Sequence, residues 1–159
     1  MKKMLEGKVA LITGASRGIG KAIALRFATE GATIVFTHVT PSAVAEQTEQ
    51  EIAAMGVKVK RYIADAADYV ATEALVAEVV KEFGHIDILV NNAGISMRAV
   101  FKDLDLNVMR SLMDTNFWGT VYCTKYALPY LLESKGTVVG VISTAGYVGL
   151  PARTAYATA

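Results

Sequence analysis

Between an apolar run at residues 9–13 (VALIT) and a segment of helical period, the chain reads T-G-A-S-R-G-I-G over residues 13–20. No other stretch constrains the fold as much. Glycine permits a sharp turn and a close approach to the backbone, and the helix behind it points unpaired N–H groups and a positive dipole end at the same place. By itself such a turn is equally a tight strand-to-helix connection. Here a strand is predicted before it and a helix after it, which is the context a phosphate-binding turn requires.

The rest of the chain repeats this alternation. Ile19, Ile23, Phe27 and Ala28 recur at helical spacing until Gly31, and residues 33–37 (TIVFT) form a second apolar run. A helix is predicted over residues 41–55, ended by Gly56, and a third strand over residues 57–63. Asp68 stands where an N-cap should, ahead of Val70, Ala74, Leu75, Val79 and Phe83 on one face, with Gly84 as the stop. A fourth strand follows at residues 86–90. Asp105 is placed to cap a long helical stretch through Met109, Leu112, Met113, Phe117 and Val121 to Leu132, closed by Lys135 and Gly136. Residues 137–143 (TVVGVIS) make the fifth strand. Short apolar strands separated by helices imply an α/β fold, a doubly wound parallel sheet of the Rossmann type. Right-handed crossovers give five strands in the order 3-2-1-4-5, in a single domain spanning residues 1–159. The ligand of such a sheet lies beyond the carboxyl ends of the strands, where strands 1 and 4 part.

Composition narrows the function. Sixteen Lys+Arg against fifteen Asp+Glu leave a net charge of +1, with none of the broad basic field that holds nucleic acid. Cys123 is the only cysteine, and His38 and His85 are the only histidines, so disulfides and metal clusters are not expected. The opening residues place Glu6, Gly7 and Lys8 where a signal peptide would be apolar, and no run reaches the roughly 18 apolar residues of a membrane span. A cytoplasmic protein with no membrane partner is expected, its 53% hydrophobic content belonging to a core.

About 20 residues past the glycines, an acidic side chain would accept the ribose hydroxyls of NAD. Phe36, Thr37, His38, Val39 and Thr40 stand there instead. No carboxylate would repel a 2′-phosphate, and Arg17 in the glycine turn is suited to pair with one, so NADP(H) is the expected cofactor. Arg17 and His38 also admit plain surface-loop readings. Asp65 and Ala66 end strand 3, where the carboxylate suits either an adenine amino group or a turn. Asn91, Asn92, Ala93 and Gly94 follow strand 4 at the switch point. Asn116 is a poor helix former inside a predicted helix, so it either costs stability for nothing or uses its side chain and a distorted backbone. Ser143 at a strand end and Tyr156 thirteen residues on fall at the same sheet edge.

In order and spacing, TGASRGIG, Asp65-Ala66, NNAG (Asn91, Asn92, Ala93, Gly94), Asn116, and Ser143 with Tyr156 resemble the short-chain dehydrogenases/reductases over the whole chain. Up to NNAG the sequence is most similar to the 3-oxoacyl-acyl-carrier-protein reductases; FWGTVYCTKYALPYLL and STAGYVGLP resemble broader carbonyl or steroid-type members. Natural divergence and a join near Gly94 are both open. The resemblance implies hydride transfer from NADPH to a carbonyl, a 3-oxoacyl thioester or related ketone, with homo-oligomers. Tyr156 would be the general acid, Ser143 would hydrogen-bond the carbonyl oxygen, and Asn116 would hold a relay water. Gly14, Ser16, Arg17, Gly18, Ile19 and Gly20 would line the cofactor phosphates, with Asp65 and Ala66 near the adenine and Asn91, Ala93 and Gly94 along the ribose.

The family pattern is Tyr-x-x-x-Lys, and the sequence stops at Ala159, one residue short of that lysine. Three expectations follow: an enzyme with a poorly tuned Tyr156, a catalytically silent NADP-binding module of truncated or engineered origin, or a fragment of a longer polypeptide. Strand 5, with Val138, Val139, Val141 and Ile142, is expected to present a bare apolar edge that pairs with another chain.

Overall fold

The computed structural model describes residues 3–159, and its parallel sheet has the expected strand order, β3-β2-β1-β4-β5. The strands are β1 (Val9–Ile12), β2 (Thr33–His38), β3 (Val59–Ile63), β4 (Ile88–Asn91) and β5 (Thr137–Gly140). Helices α1 (Gly18–Thr29) and α2 (Ala43–Ala53) cover one face; α3 (Tyr69–Phe83) and α5 (Gly119–Ser134) cover the other. A short α4 (Leu106–Leu112) leads into α5 through a π-helical turn, Met113–Trp118, and α6 (Thr154–Thr158) carries Tyr156.

Strand pleating divides the core in two. Val9 and Leu11 of β1 join Val35, Leu89, Leu75, Val79, Cys123, Ala127 and Leu131 on the α3/α5 face. Ala10 and Ile12 join Ile34, Phe36, Val90, Ala24, Ala28 and Ile52 on the other. Buried on both faces, the central strands read as unbroken apolar runs, as parallel strands do.

The expected strands and caps are largely present, while the expected helix faces need correction. Asp68 Oδ1 accepts from the Ala71 N–H at 2.9 Å, Asp105 Oδ1 accepts from the Asn107 N–H at 2.8 Å, and Gly84 ends α3 in the left-handed conformation. The inward face of α3 is Thr72, Leu75, Val76 and Val79; Val70 is exposed. On α1 the buried positions are Gly20, Ala24 and Ala28, whereas Ile19 is exposed. On α5 the stripe is Gly119, Cys123, Ala127 and Leu131, leaving Phe117 and Leu132 to solvent. On α1 and α5 small residues hold most of these positions, and close packing at the start and just past the end of α5 leaves no room for a Cβ at two glycines. A Cβ on Gly119 would come within 2.9 Å of Ala66 Cβ, and one on Gly136 within 2.4 Å of the Asp87 carbonyl oxygen. Strand β5 is shorter than expected, with Val138 44% and Val139 37% exposed, so the edge is open among the described residues.

At the end of the sheet away from the switch point, buried Asp87 ties the chain together. Its Oδ1 accepts from Lys8 Nζ at 2.8 Å and its Oδ2 from the Val9 N–H at 2.9 Å, with His85 Nε2 3.0 Å away. Burial acts to raise its pKa, but the bonds from Lys8 and Val9 and the charges of Lys8 and His85 outweigh it, and the carboxyl titrates below its ordinary value. A group depressed in the folded state stabilises above its unfolded value, about 3.9, and that stabilisation is lost as pH falls through the folded value. Asp87→Asn is expected to cost about 2 kcal/mol at pH 7. Denaturant unfolding should show the wild-type and variant stabilities converging as pH drops below about 4; curves that stay parallel would refute this account. Burial also pushes the Cys123 thiol up to about 11, against an opposing hydrogen bond from Thr72. The native chain is therefore expected to resist thiol reagents at pH 7 and to react at once in denaturant.

Candidate active site

The site is built where β1 and β4 separate. Thr13 Oγ1 accepts from the N–H groups of Asn92 at 3.0 Å and Ala93 at 2.9 Å, and Asn92 Nδ2 donates to the carbonyls of Thr13 at 2.9 Å and Gly14 at 3.1 Å. Thr37 Oγ1 accepts from the Gly14 N–H at 3.1 Å, fastening the glycine turn to β2. Neither Thr13 nor Thr37 was singled out as a functional residue from sequence, because what matters is the partner each meets across the sheet.

The glycines of the turn do different work. A Cβ on Gly14 would lie 2.8 Å from Ala93 Cα, and one on Gly20 would lie 2.5 Å from Asn92 Nδ2, so both serve internal packing. Gly18, at φ +60°, faces nothing within 4 Å. Arg17, the exposed residue before α1, makes no capping bond with its side chain, and the first turn of α1 has no acidic residue. An open glycine at the uncapped start of a 12-residue helix fits an anionic group such as a cofactor pyrophosphate. The Ser16 carbonyl is held by Thr48 Oγ1 at 2.8 Å.

A cavity of about 740 Å³ opens beside this turn, within the size range of small-ligand sites. Its lining includes Ile19, Asn91, Ala93, Gly94, Asn116, Ser143 and Tyr156. Residues from five separated segments thus meet in one place. Gly14, Ser16, Arg17, Gly18, Gly20, Asp65 and Ala66 lie outside the lining. Asp65 uses Oδ1 to accept from the Ala67 N–H at 3.0 Å, which is a turn-forming bond, and buried Ala66 packs beneath Gly119.

Asn91 is the last residue of β4 rather than the first of the loop. It is 5% exposed, its Nδ2 donates to Thr124 Oγ1 at 2.9 Å, and its Oδ1 has no partner. An orphaned buried acceptor at the switch point is costly unless a ligand or water meets it. Asn116 sits in the π-helical turn, and its side chain pairs with one backbone unit: Oδ1 accepts from the Ile95 N–H at 2.9 Å and Nδ2 donates to the Ile95 carbonyl at 3.0 Å. Of the two expectations for an asparagine at that place, the second is met: the backbone is distorted and the side chain is engaged.

Ser143 follows β5 and accepts from the Ala145 N–H through Oγ at 3.2 Å. Tyr156 is half-buried on α6, with the Arg153 guanidinium 5.6 Å from its ring centroid. Arg153 Nη1 also donates to Ser96 Oγ at 2.5 Å and to the Met97 carbonyl at 2.9 Å, and the Ala99 N–H reaches the Ala152 carbonyl at 3.1 Å. The segment after β4 and the segment bearing Tyr156 are thereby joined. Among the described residues no Asp, Glu, Lys or Arg side chain lines the cavity. Among the described residues no cluster of His, Cys, Asp and Glu suits a metal ion, and no helix is long and apolar enough to cross a membrane.

Comparison with known proteins agrees with this geometry. Residues 8–159 match the short chain dehydrogenase family. The chain is 37% identical over 153 residues to 11-beta-hydroxysteroid dehydrogenase 1A of Arabidopsis thaliana, covering 96% of this chain and 44% of that protein. It is also 37% identical over 150 residues to a 3-oxoacyl-acyl-carrier-protein reductase of Staphylococcus aureus, covering 94% of this chain and 61% of that protein. The chain therefore spans about half the length of the curated relatives it matches. Among solved structures, an NAD+-bound xylitol dehydrogenase superposes with a TM-score of 0.93 at 33% identity, covering 98% of this chain and 60% of that one. A mutant short-chain dehydrogenase/reductase of Serratia marcescens gives 0.92 at 34% identity, covering 97% and 63%. With its motifs gathered at the switch point of the expected sheet, the chain belongs to the short-chain dehydrogenase family.

Proposed function

We propose that the chain carries the cofactor-binding and proton-donating part of an NADP(H)-dependent carbonyl reductase. The observation that carries this reading is the meeting of Asn91, Asn116, Ser143 and Tyr156 around one cavity, next to an open glycine turn. When bound, a nicotinamide cofactor supplies the hydride. The chain's own groups bind and orient it: Gly14, Ser16, Arg17, Gly18, Ile19 and Gly20 toward the phosphates, Asp65 and Ala66 toward the adenine, and Asn91, Ala93 and Gly94 toward the ribose.

Tyr156 gives its phenolic proton to the carbonyl oxygen, and the Ser143 hydroxyl, whose Oγ accepts from the Ala145 N–H, is free to donate a hydrogen bond to the same oxygen. Asn116 fixes the loop at Ile95 and holds a relay water beside the cavity. Similarity to a 3-oxoacyl-acyl-carrier-protein reductase and to a hydroxysteroid dehydrogenase supports a ketone substrate, a 3-oxoacyl thioester being our first choice. The missing carboxylate at the end of β2 and the free position of Arg17 support NADP(H); similarity to an NAD+-bound xylitol dehydrogenase makes NADH the necessary comparison.

Calorimetric titration with NADPH and NADH tests the cofactor. Arg17→Glu is expected to remove a preference for NADPH of about tenfold or more; an unchanged ratio of dissociation constants would show the phosphate assignment to be wrong. Tyr156→Phe is expected to lower ketone-dependent NADPH oxidation by about a hundredfold or more, leaving NADPH affinity unchanged. Equal turnover in the two chains would remove Tyr156 from the chemistry. Through the open β5 edge we expect association into dimers, read by light scattering at micromolar concentration; a monomer there would refute it.

A further inference from the structure

Among the described residues the cavity has no charged side chain in its lining, and Arg153 touches two residues that line it, Ser96 and Tyr156. Arg153 is half-buried, and none of the ion pairs among the described residues involves it. Both of its hydrogen bonds use Nη1 and go to neutral acceptors, Ser96 Oγ and the Met97 carbonyl. The Nε–Nη2 edge is left with no acceptor among the described residues. That edge is the side of a guanidinium that takes a carboxylate in two parallel hydrogen bonds.

Its place is fixed from several directions. Ser96 and Tyr156 both line the cavity, and Arg153 touches the first and stands over the ring of the second. Ala152, just before it, is held in the left-handed region at φ 62°, an uncommon state for a residue with a Cβ. Arg26 and Arg61 are each paired with glutamates, and the other arginines without an ion pair among the described residues, Arg17, Arg98 and Arg110, are exposed, whereas Arg153 is half-buried. A half-buried guanidinium with no ion-pair partner among the described residues, anchored by one nitrogen beside a cavity with no charged side chain in its lining, is arranged to meet an anion brought by the ligand.

We propose that Arg153 recognises a carboxylate on the carbonyl substrate, so that the site takes oxo acids in preference to neutral ketones. This rests on the reading of the cavity as a carbonyl-reducing site. Bound by its carboxylate to the Nε–Nη2 edge, an oxo acid is tethered within reach of Tyr156 and Ser143, and the tether supplies binding energy away from the reacting carbon.

The test is calorimetric titration of the full chain, free and saturated with NADP+, with two matched pairs of probes: 3-oxobutanoate and 4-oxopentanoate, each against its methyl ester. At least one acid is expected to bind about tenfold or more tightly than its ester. In Arg153→Gln that preference should shrink to about twofold or less through loss of affinity for the acid alone, and Arg153→Lys, which keeps the charge without the fork, should retain part of it. If Arg153 merely clamps the two segments, Arg153→Gln will weaken acid and ester by the same factor, and the proposal is overturned. It is equally overturned if neither acid is favoured over its ester by the wild-type chain, or if neither binds; these two outcomes stand whether or not the variants fold. Failure of NADP+ to bind would count against the cofactor assignment, and the acid and ester comparison on the free chain is independent of it.

Discussion

The site depends on a cross-stitch at the point where β1 and β4 part. Thr13 Oγ1 receives two N–H groups from the far strand's loop, and Asn92 returns two bonds to the carbonyls of Thr13 and Gly14. Backbone groups leaving a sheet lose their ladder partners, and buried ones must find others. Here they find each other across the crevice. The glycine turn and the NNAG segment are consequently held as one unit, and Gly14 must be glycine because Ala93 occupies the space of its Cβ.

A second brace runs along the opposite wall. Asn116 pairs with the backbone of Ile95, and Arg153 pairs with Ser96 and Met97, so the segment leaving β4 is held from one side by the π-helical turn and from the other by the approach to α6. The irregular turn inside the long helix has a local cause: a side chain that would compete with helical hydrogen bonds is engaged elsewhere. Those two residues therefore brace one wall of the cavity that Ser143 and Tyr156 also line. Asn91, whose Oδ1 is unpaired among the described residues, lines it as well.

The fold was legible in the sequence to the level of strand order. Five apolar runs, each followed by a turn and a helical period, leave one common topology once right-handed crossovers are required. Capping residues were legible as well, since Asp68, Asp105 and Gly84 act within their own turns. The helix faces were less so. Large apolar residues such as Ile19, Val70, Phe117 and Leu132 suggested the inward stripes, yet these are exposed: glycine, alanine and cysteine take most inward positions of α1 and α5, and α3 turns Thr72, Leu75, Val76 and Val79 inward. Periodicity reports which residues share a face, not how near the neighbouring layer stands.

For the site, the sequence by itself determined which groups exist and roughly where they emerge: the glycine turn, NNAG and Ser143 at carboxyl ends of strands, Asn116 within a helical stretch, and Tyr156 thirteen residues past Ser143. Only the tertiary structure decided what each does there. It separated Gly18, which is open, from Gly14 and Gly20, which are packed; it turned Asp65 into a turn former; and it brought Thr13, Thr37 and Arg153 to the site. The reason is physical. Motif residues act through local backbone geometry that sequence spacing encodes, whereas a hydrogen bond between residues 79 positions apart, such as Asn92 to Thr13, exists only once the sheet has set two strands side by side.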